Sequence, residues 1–228
     1  MSEIKDHAYP LRIVSFGPIA YAHALQMQQS LVDQRIKAAI PNTVLIMEHS
    51  PVITLGARKS ENKLLVDEDE IKERAIDIAR VRRGGGTTAH NPGQLVLYPI
   101  IDLRTINVGI SEYVRCLESI GIDLLGSYGI EAGRVRGLPG LWLDDRRKIA
   151  SIGVKVKRHV TFHGMAINIC NDTAIFDLIV PCGLKDIKIL SAVKASGRDI
   201  DINDAKEKIA KLCAEKWSAK ELTEYEQR

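Results

Sequence analysis

The sequence predicts a mixed α/β chain of α+β character, folded as a single domain over residues 1–228 with a central mixed sheet flanked by helices. Three observations carry this. Strand-like segments outnumber helical ones and often follow each other directly, which argues against a strict βαβ alternation. The 228 residues suffice for one substantial core, and no repeat, low-complexity tract or Ser/Gly-rich linker divides them. Hydrophobic residues make up 45% and charged residues 27%, the balance of a globular chain.

In order, "LRIVSF" (11–16) reads as a strand. Pro18 is placed to open a helix in which Ile19, Ala22, Leu25, Met27 and Leu31 recur near the helical period. "TVLIMEH" (43–49) is a buried strand, and "PVITLG" (51–56) an extended piece ended by glycine. "DEDEIKERA" (67–75) forms a short helix with acidic residues at its positive end. "IDIARVR" (76–82) returns to strand, and after a glycine run so does "LVLYPIIDL" (95–103). A long helix covers 110–126, with strands following at 140–144, 148–158 and 160–170. The last helix spans 203–218, capped by Asp201 or Asn203, with Ala205, Ile209, Leu212, Cys213 and Trp217 on one face.

Charge and cysteine usage narrow the function classes. A net charge of +3 and a pI near 8.6 are too weak to imply nucleic acid. Basic residues do gather at 79–83, 145–148 and 155–158, either as solvated strand ends or as a surface for an acidic partner. No apolar run approaches the ~20 residues that span a bilayer. The start, "MSEIKDHAYPLR", has neither a basic lead nor an apolar stretch, so a cytoplasmic protein is expected. Cys116, Cys170, Cys182 and Cys213 form no Cys-x-x-Cys pair, so neither a metal site nor a redox pair is expected. Cys116 and Cys213 fall on apolar helical faces, and Cys170 ends an apolar strand. Cys182 alone sits in a turn, Pro181-Cys182-Gly183, where a side chain can reach a cleft.

"VRRGGGTTAHNPGQLVLYPI" (81–100) is the most informative stretch. Three consecutive glycines free the backbone and let a ligand approach it closely. No Gly-Lys-Ser/Thr follows, and a strand rather than a helix comes next, which excludes a Walker loop and a dinucleotide fingerprint. On spacing alone, a bare glycine turn and a ligand site fit equally well.

The stretch resembles the Arg-Gly-Gly-x-x-Thr-x-His-Gly-Pro-Gly-Gln signature of the lipoyl(octanoyl) transferase family. Further matches follow that family's order: "EHSPVITLGAR" (48–58), "KIASIG" (148–153), "FHGMAINI" (162–169) and "IVPCGL" (179–184). The resemblance covers about residues 40–195. Asn91 stands where the family usually has glycine, a substitution that asparagine's tolerance of left-handed backbone would accommodate. After Cys182 the family shows a hydroxyl pair, whereas the nearest hydroxyl here is Ser191.

The resemblance implies a fold similar to the biotin/lipoate protein ligase catalytic domain. It implies that Cys182 takes an octanoyl group from octanoyl-acyl carrier protein as a thioester. The amine of a lysine on a lipoyl domain would then receive it as an amide, on 2-oxoacid dehydrogenases or the glycine cleavage H protein. Lys148 would activate Cys182; read from the residues alone, a solvated strand-end charge is the commoner case, and it is the family position that reverses this. The acyl site would be lined by Arg83, Gly84, Gly85, Gly86, Thr87, Thr88, Ala89 and His90 from the glycine loop. Ser151, Ile152 and Gly153, then Gly164, Met165 and Ala166, would complete it. Backbone N–H groups of Gly84–Gly86 or near Gly164 are candidate oxyanion donors. His90 and His163 read as wall or orienting groups, and Leu95, Leu97 and Ile152 as acyl lining or as core. No cofactor, metal, nucleic acid or membrane is expected, and the chain is expected to be a monomer. Three rivals stand at this stage: an ATP-dependent lipoate- or biotin-type ligase, an amidotransferase moving octanoyl or lipoyl between two proteins, and a silent module that binds acylated carriers.

Overall fold

A computed structural model describes residues 11–184 and 186–217, the side chain of Cys182 excepted, and the backbone of 222–227. Strand β1 (Leu11–Ile19) leads to helix α1 (Tyr21–Ile36), then β2 (Asn42–His49) and β3 (Val52–Leu55). Helix α2 (Glu68–Glu73) precedes β4 (Asp77–Arg80), β5 (Thr88–His90) and β6 (Gln94–Ile100). After α3 (Ile110–Gly126) come β7 (Gly133–Val135), β8 (Leu138–Trp142), β9 (Arg147–Lys157) and β10 (Val160–Asn168). Short 3-10 turns at Thr173–Leu178 and Pro181–Gly183 lead to β11 (Lys188–Ile189), α4 (Ala192–Ser196), α5 (Ile202–Trp217) and β12 (Leu222–Gln227).

The main sheet runs β12-β1-β2-β6-β10-β9-β8-β7, with β11 added alongside β9. Its β1–β2, β1–β12 and β9–β11 pairings are parallel and the others antiparallel, so the expected mixed sheet is present. A second sheet, β4-β3-β5, was not foreseen as separate. β2 is buried along its whole length because it is covered on both sides. Val44 and Ile46 face the core under α3 and α5, while Leu45 and Met47 face the core under α1.

Two expectations about the first helix are corrected. Pro18 does not open it: β1 continues to Ile19, and the β1–β2 register shifts between Ser15 and Pro18. A bulge is where a strand tolerates a residue without an N–H. The buried face of α1 is also not the apolar series that the period picks out. Tyr21, Ala24, Gln28, Val32 and Arg35 face inward instead. The polar members are there because they have partners: Gln28 Oε1 accepts the His163 N–H at 2.8 Å, and Arg35 Nε donates to Asn42 Oδ1 at 2.9 Å.

Helix α5 is tied to the sheet by a buried ion pair. Lys206 Nζ lies 2.7 Å from Glu48 Oε1 and also donates to the Phe16 carbonyl at 3.1 Å. Glu48 Oε2 accepts the Gly93 N–H at 2.7 Å, so one carboxylate joins helix, strand and the Asn-Pro-Gly turn. Lys206→Ala leaves that carboxylate buried without its cation. The expected cost is about 3 to 5 kcal/mol, read as a lowered urea midpoint with unchanged slope. A midpoint equal to wild type would show the pair to be dispensable.

Candidate active site

The position of Lys148 follows from an irregular register. Leu141 pairs with Ala150, but Trp142 pairs with Lys148, so Ile149 is an extra residue on the β9 side. A bulge of this kind re-aims the side chains around it. It sets the Lys148 ammonium 4.7 Å from the centroid of the Trp142 ring and 3.1 Å from the Pro139 carbonyl, to which it donates. Trp142 is anchored in turn, its Nε1–H donating to the Leu138 carbonyl at 3.1 Å. Gly140 (φ +124°) makes room: a Cβ there would stand 2.8 Å from Lys148 Cε and 3.2 Å from Nζ. Lys148 is only 2% exposed. The reading of a solvated strand-end charge therefore falls, since lysine is almost never fully buried unless paired.

Lys148 lines a cavity together with Gly84, Gly85, Ile152, Gly153 and Leu184. Gly85, Ile152 and Gly153 also line a second, smaller cavity and so lie between the two. The second cavity draws Arg83, Thr88 and His90 from the loop and Ser151 from β9. Gly164, Met165 and Ala166 of β10 complete that side. The Met165 side chain belongs to the core against α3, where its thioether lies beside Gly121. Tyr21, Tyr98 and His163 also line the cavity. The sequence reading missed the two tyrosines, for which a lone hydroxyl in the apolar run "LVLYPI" was the available signal at Tyr98.

Some expected lining residues do other work. Gly86 packs against Glu61. Thr87 is buried, its Oγ1 accepting the Lys63 N–H at 3.0 Å. Ala89 belongs to the core beneath the small sheet, while Leu95 and Leu97 belong to the core under α3 and α5. Arg83 spends donors on the protein, reaching the Thr54 carbonyl at 2.9 Å and Thr54 Oγ1 at 2.6 Å, and so holds the loop to β3. Gly85 (φ +80°) takes the left-handed backbone that the glycine run allows. Asn91 does not: the positive φ belongs to Gly93. Asn91 instead donates to the Asp172 carbonyl at 2.8 Å and accepts from Asn171 at 3.0 Å, a role glycine could not fill. Ser191 caps α4, accepting the Lys194 N–H, and is no part of the pocket wall.

The Pro-Cys-Gly turn is a single 3-10 turn with proline at its start and Gly183 at φ +70°. It packs on Glu61, whose Cβ would lie 3.2 Å from a Cβ placed on Gly183. The Cys182 side chain lies outside the described residues. Leu184, two residues on, is in the wall of the Lys148 cavity, and Ile189 then pairs with Lys148 itself. Of the other thiols, Cys213 is fully buried and Cys116 partly so. Cys170 lies beyond the end of β10 and is exposed, with its thiol pushed up first by partial burial and then by the Glu48 carboxylate.

Rings wall the smaller cavity. His49 Nδ1 faces the Ile19 carbonyl at 2.9 Å, so that nitrogen carries the hydrogen and Nε2 accepts from Tyr98 Oη–H at 2.8 Å. His90 Nδ1 donates to Gln94 Oε1 at 2.7 Å, the amide being oriented by its own donation to Ala89 and Asn168. His163 stands at φ +54°, a left-handed conformation uncommon outside glycine and of the kind that clusters at functional sites. Burial holds all three imidazoles neutral: His49 is lowered to about 4, His163 to about 3, and His90 well below its usual value.

An unfolded histidine titrates near 6.5, so between that value and about 4 the unfolded chain binds protons that the folded one refuses. Stability therefore falls as pH drops through this window, by up to about 1.4 kcal/mol per pH unit for each histidine. Denaturant titrations at pH 7.5 and pH 5 are expected to differ by about 4 kcal/mol or more. A flat profile would mean that these imidazoles are not held neutral.

A buried ammonium beside two adjoining cavities, with a glycine loop over them and a mixed sheet beneath, is the arrangement of a ligand-binding catalytic domain. Among the described residues there is no group placed to hold a metal ion and no helix long and apolar enough to cross a membrane. The chain belongs to the lipoyl protein ligase A/B catalytic domain family, whose model matches residues 20–214. It is 39% identical over 198 residues to an octanoyltransferase of Koribacter versatilis, covering 85% of this chain and 79% of that one. It is 42% identical over 195 residues to an octanoyltransferase of Solibacter usitatus, covering 86% and 87%. Its fold matches a bipartite lipoate protein ligase from Thermoplasma acidophilum with a TM-score of 0.68 at 14% identity, over 91% of this chain and 84% of that one.

Proposed function

We propose that this protein is an octanoyltransferase that moves an octanoyl group from octanoyl-acyl carrier protein to a lysine amine of lipoyl domains, in the cytoplasm, through a Cys182 thioester. The observation that carries the reading is the adjacency of two cavities. Lys148 and Leu184, next to the Pro-Cys-Gly turn, line one, and Gly85, Ile152 and Gly153 line both it and the ring-walled pocket beside it. Octanoyltransferase relatives near 40% identity over most of the chain support the choice of acyl group.

The chemistry balances without ATP. A Cys182 thiolate attacks the thioester carbonyl, and the tetrahedral intermediate expels the carrier's thiolate, which takes a proton from the Lys148 ammonium. The lysine amine of the acceptor then attacks the acyl-enzyme. Its proton passes to the now neutral Lys148, and Cys182 leaves as thiolate, restoring the starting pair. The product amide is less reactive than the thioester, which drives transfer forward.

The test is intact mass spectrometry after incubation with octanoyl-acyl carrier protein, followed by addition of a lipoyl domain. A hydroxylamine-labile octanoyl adduct that disappears as the domain gains an octanoyl amide, with no nucleotide present, is the expected result. Modification that requires ATP and free octanoate or lipoate would place the chain with the ligases instead.

A further inference from the structure

The shared lining fixes the direction of the smaller cavity, and its far end is a wall of rings. Gly85, Ile152 and Gly153 are common to it and the Lys148 cavity, whereas Tyr98, Tyr21, His90 and His163 take no part in the Lys148 cavity. The wall is continuous. Tyr21 lies 5.9 Å from His90 and 5.1 Å from His49, and Tyr98 lies 5.7 Å from His49 and 6.2 Å from His163, centroid to centroid. Tyr98 is also fixed at its tip, its hydroxyl donating to His49 Nε2 at 2.8 Å. A ring pinned by packing and by a hydrogen bond cannot swing aside for a longer ligand.

The sheet sets the depth. Gly153 on β9 pairs with Gly164 on β10, and the β10–β6 register, with Met165 opposite Leu97, brings Tyr98 level with that pair. At ~4.8 Å per strand the two-strand step from Gly153 to Tyr98 is about 10 Å, roughly the reach of an extended eight-carbon chain. Ala166 on β10 lies between, sharing the α1-side core with Tyr98, and is the smallest side chain along the path after glycine.

From this geometry we infer that Tyr98, pinned by His49, is the stop that sets the acyl chain length, and that Ala166 keeps the path to it clear. The inference rests on the acyl-thioester reading above. Its test compares adduct formation by wild type, Tyr98→Val and Ala166→Leu on N-acetylcysteamine thioesters of hexanoic, octanoic, decanoic and dodecanoic acids, by intact mass. Tyr98→Val is expected to raise the decanoyl-to-octanoyl rate ratio about tenfold, the selectivity that two added methylenes carry. Ala166→Leu is expected to move the preference the other way, toward hexanoyl, by a similar factor. If Tyr98→Val does not fold, Ala166→Leu decides alone, since it adds atoms to a cavity rather than removing them. A wild type that reacts with none of the four thioesters overturns the acyl-thioester reading itself. A wild type that reacts equally with all four, or folded variants that keep its octanoyl optimum, overturns only the assignment of the stop.

Discussion

Cys182→Ala is expected to lower octanoyl transfer by at least ~10³-fold, the scale of removing a nucleophile, while the protein keeps its fold. The turn that carries the residue is built by its neighbours. Proline starts the 3-10 turn, Gly183 supplies the left-handed φ, and Glu61 packs beneath it. None of these depends on sulfur, so thermal unfolding should be nearly unchanged. The exposed thiol of Cys170 makes the comparison sharper. Cys170→Ala is expected to retain the hydroxylamine-labile adduct, because that thiol lies beyond β10 and is biased toward its protonated form. Substantial transfer by folded Cys182→Ala, or loss of the adduct in Cys170→Ala, would move the nucleophile elsewhere.

Replacing Lys148 is expected to have the second-largest effect, and the structure selects the useful substitution. Lys148→Met keeps most of the buried stem against Trp142 and removes the charge. Transfer should fall about 10²- to 10⁴-fold, the contribution of a positioned acid–base group. The thiol titration of Cys182, followed by iodoacetamide alkylation against pH, should move up by ~1 to 3 units once the neighbouring cation is gone. Lys148→Arg is not the conservative change it looks. The ammonium sits beside Gly140, under a tryptophan ring and against a carbonyl, and a longer, planar guanidinium has to remake those contacts. It should lose stability as well as activity. An unchanged thiol titration and normal turnover in Lys148→Met would remove the lysine from the mechanism.

Legibility differed from one part of the chain to another for identifiable reasons. Helix α3 was readable to its limits, because its apolar residues recur at the helical period and Glu112 accepts the Gly109 N–H at the start. β2 was readable because a continuous apolar run needs cover on both sides. Helix α1 was misread because its inward face includes Gln28 and Arg35, which sequence reasoning assigns to solvent. Their burial depends on acceptors and donors supplied from β2 and β10, far away in the chain.

The same division runs through the site. Local sequence determined its parts: a glycine run free to take positive φ, a Pro-Cys-Gly turn, and a small-residue strand following a lysine. These are properties of a few adjacent residues, and the order of motifs along the chain carried them to a family. Only the tertiary structure decided that Lys148 is buried beside Trp142, that Gly86, Thr87 and Ala89 turn away from the cavity, and that Tyr98 closes it. Each of those facts depends on cross-strand register and on packing between distant segments. A bulge of one residue at Ile149 changes what faces what, and nothing in the local pattern of apolar and polar residues records where such a bulge falls.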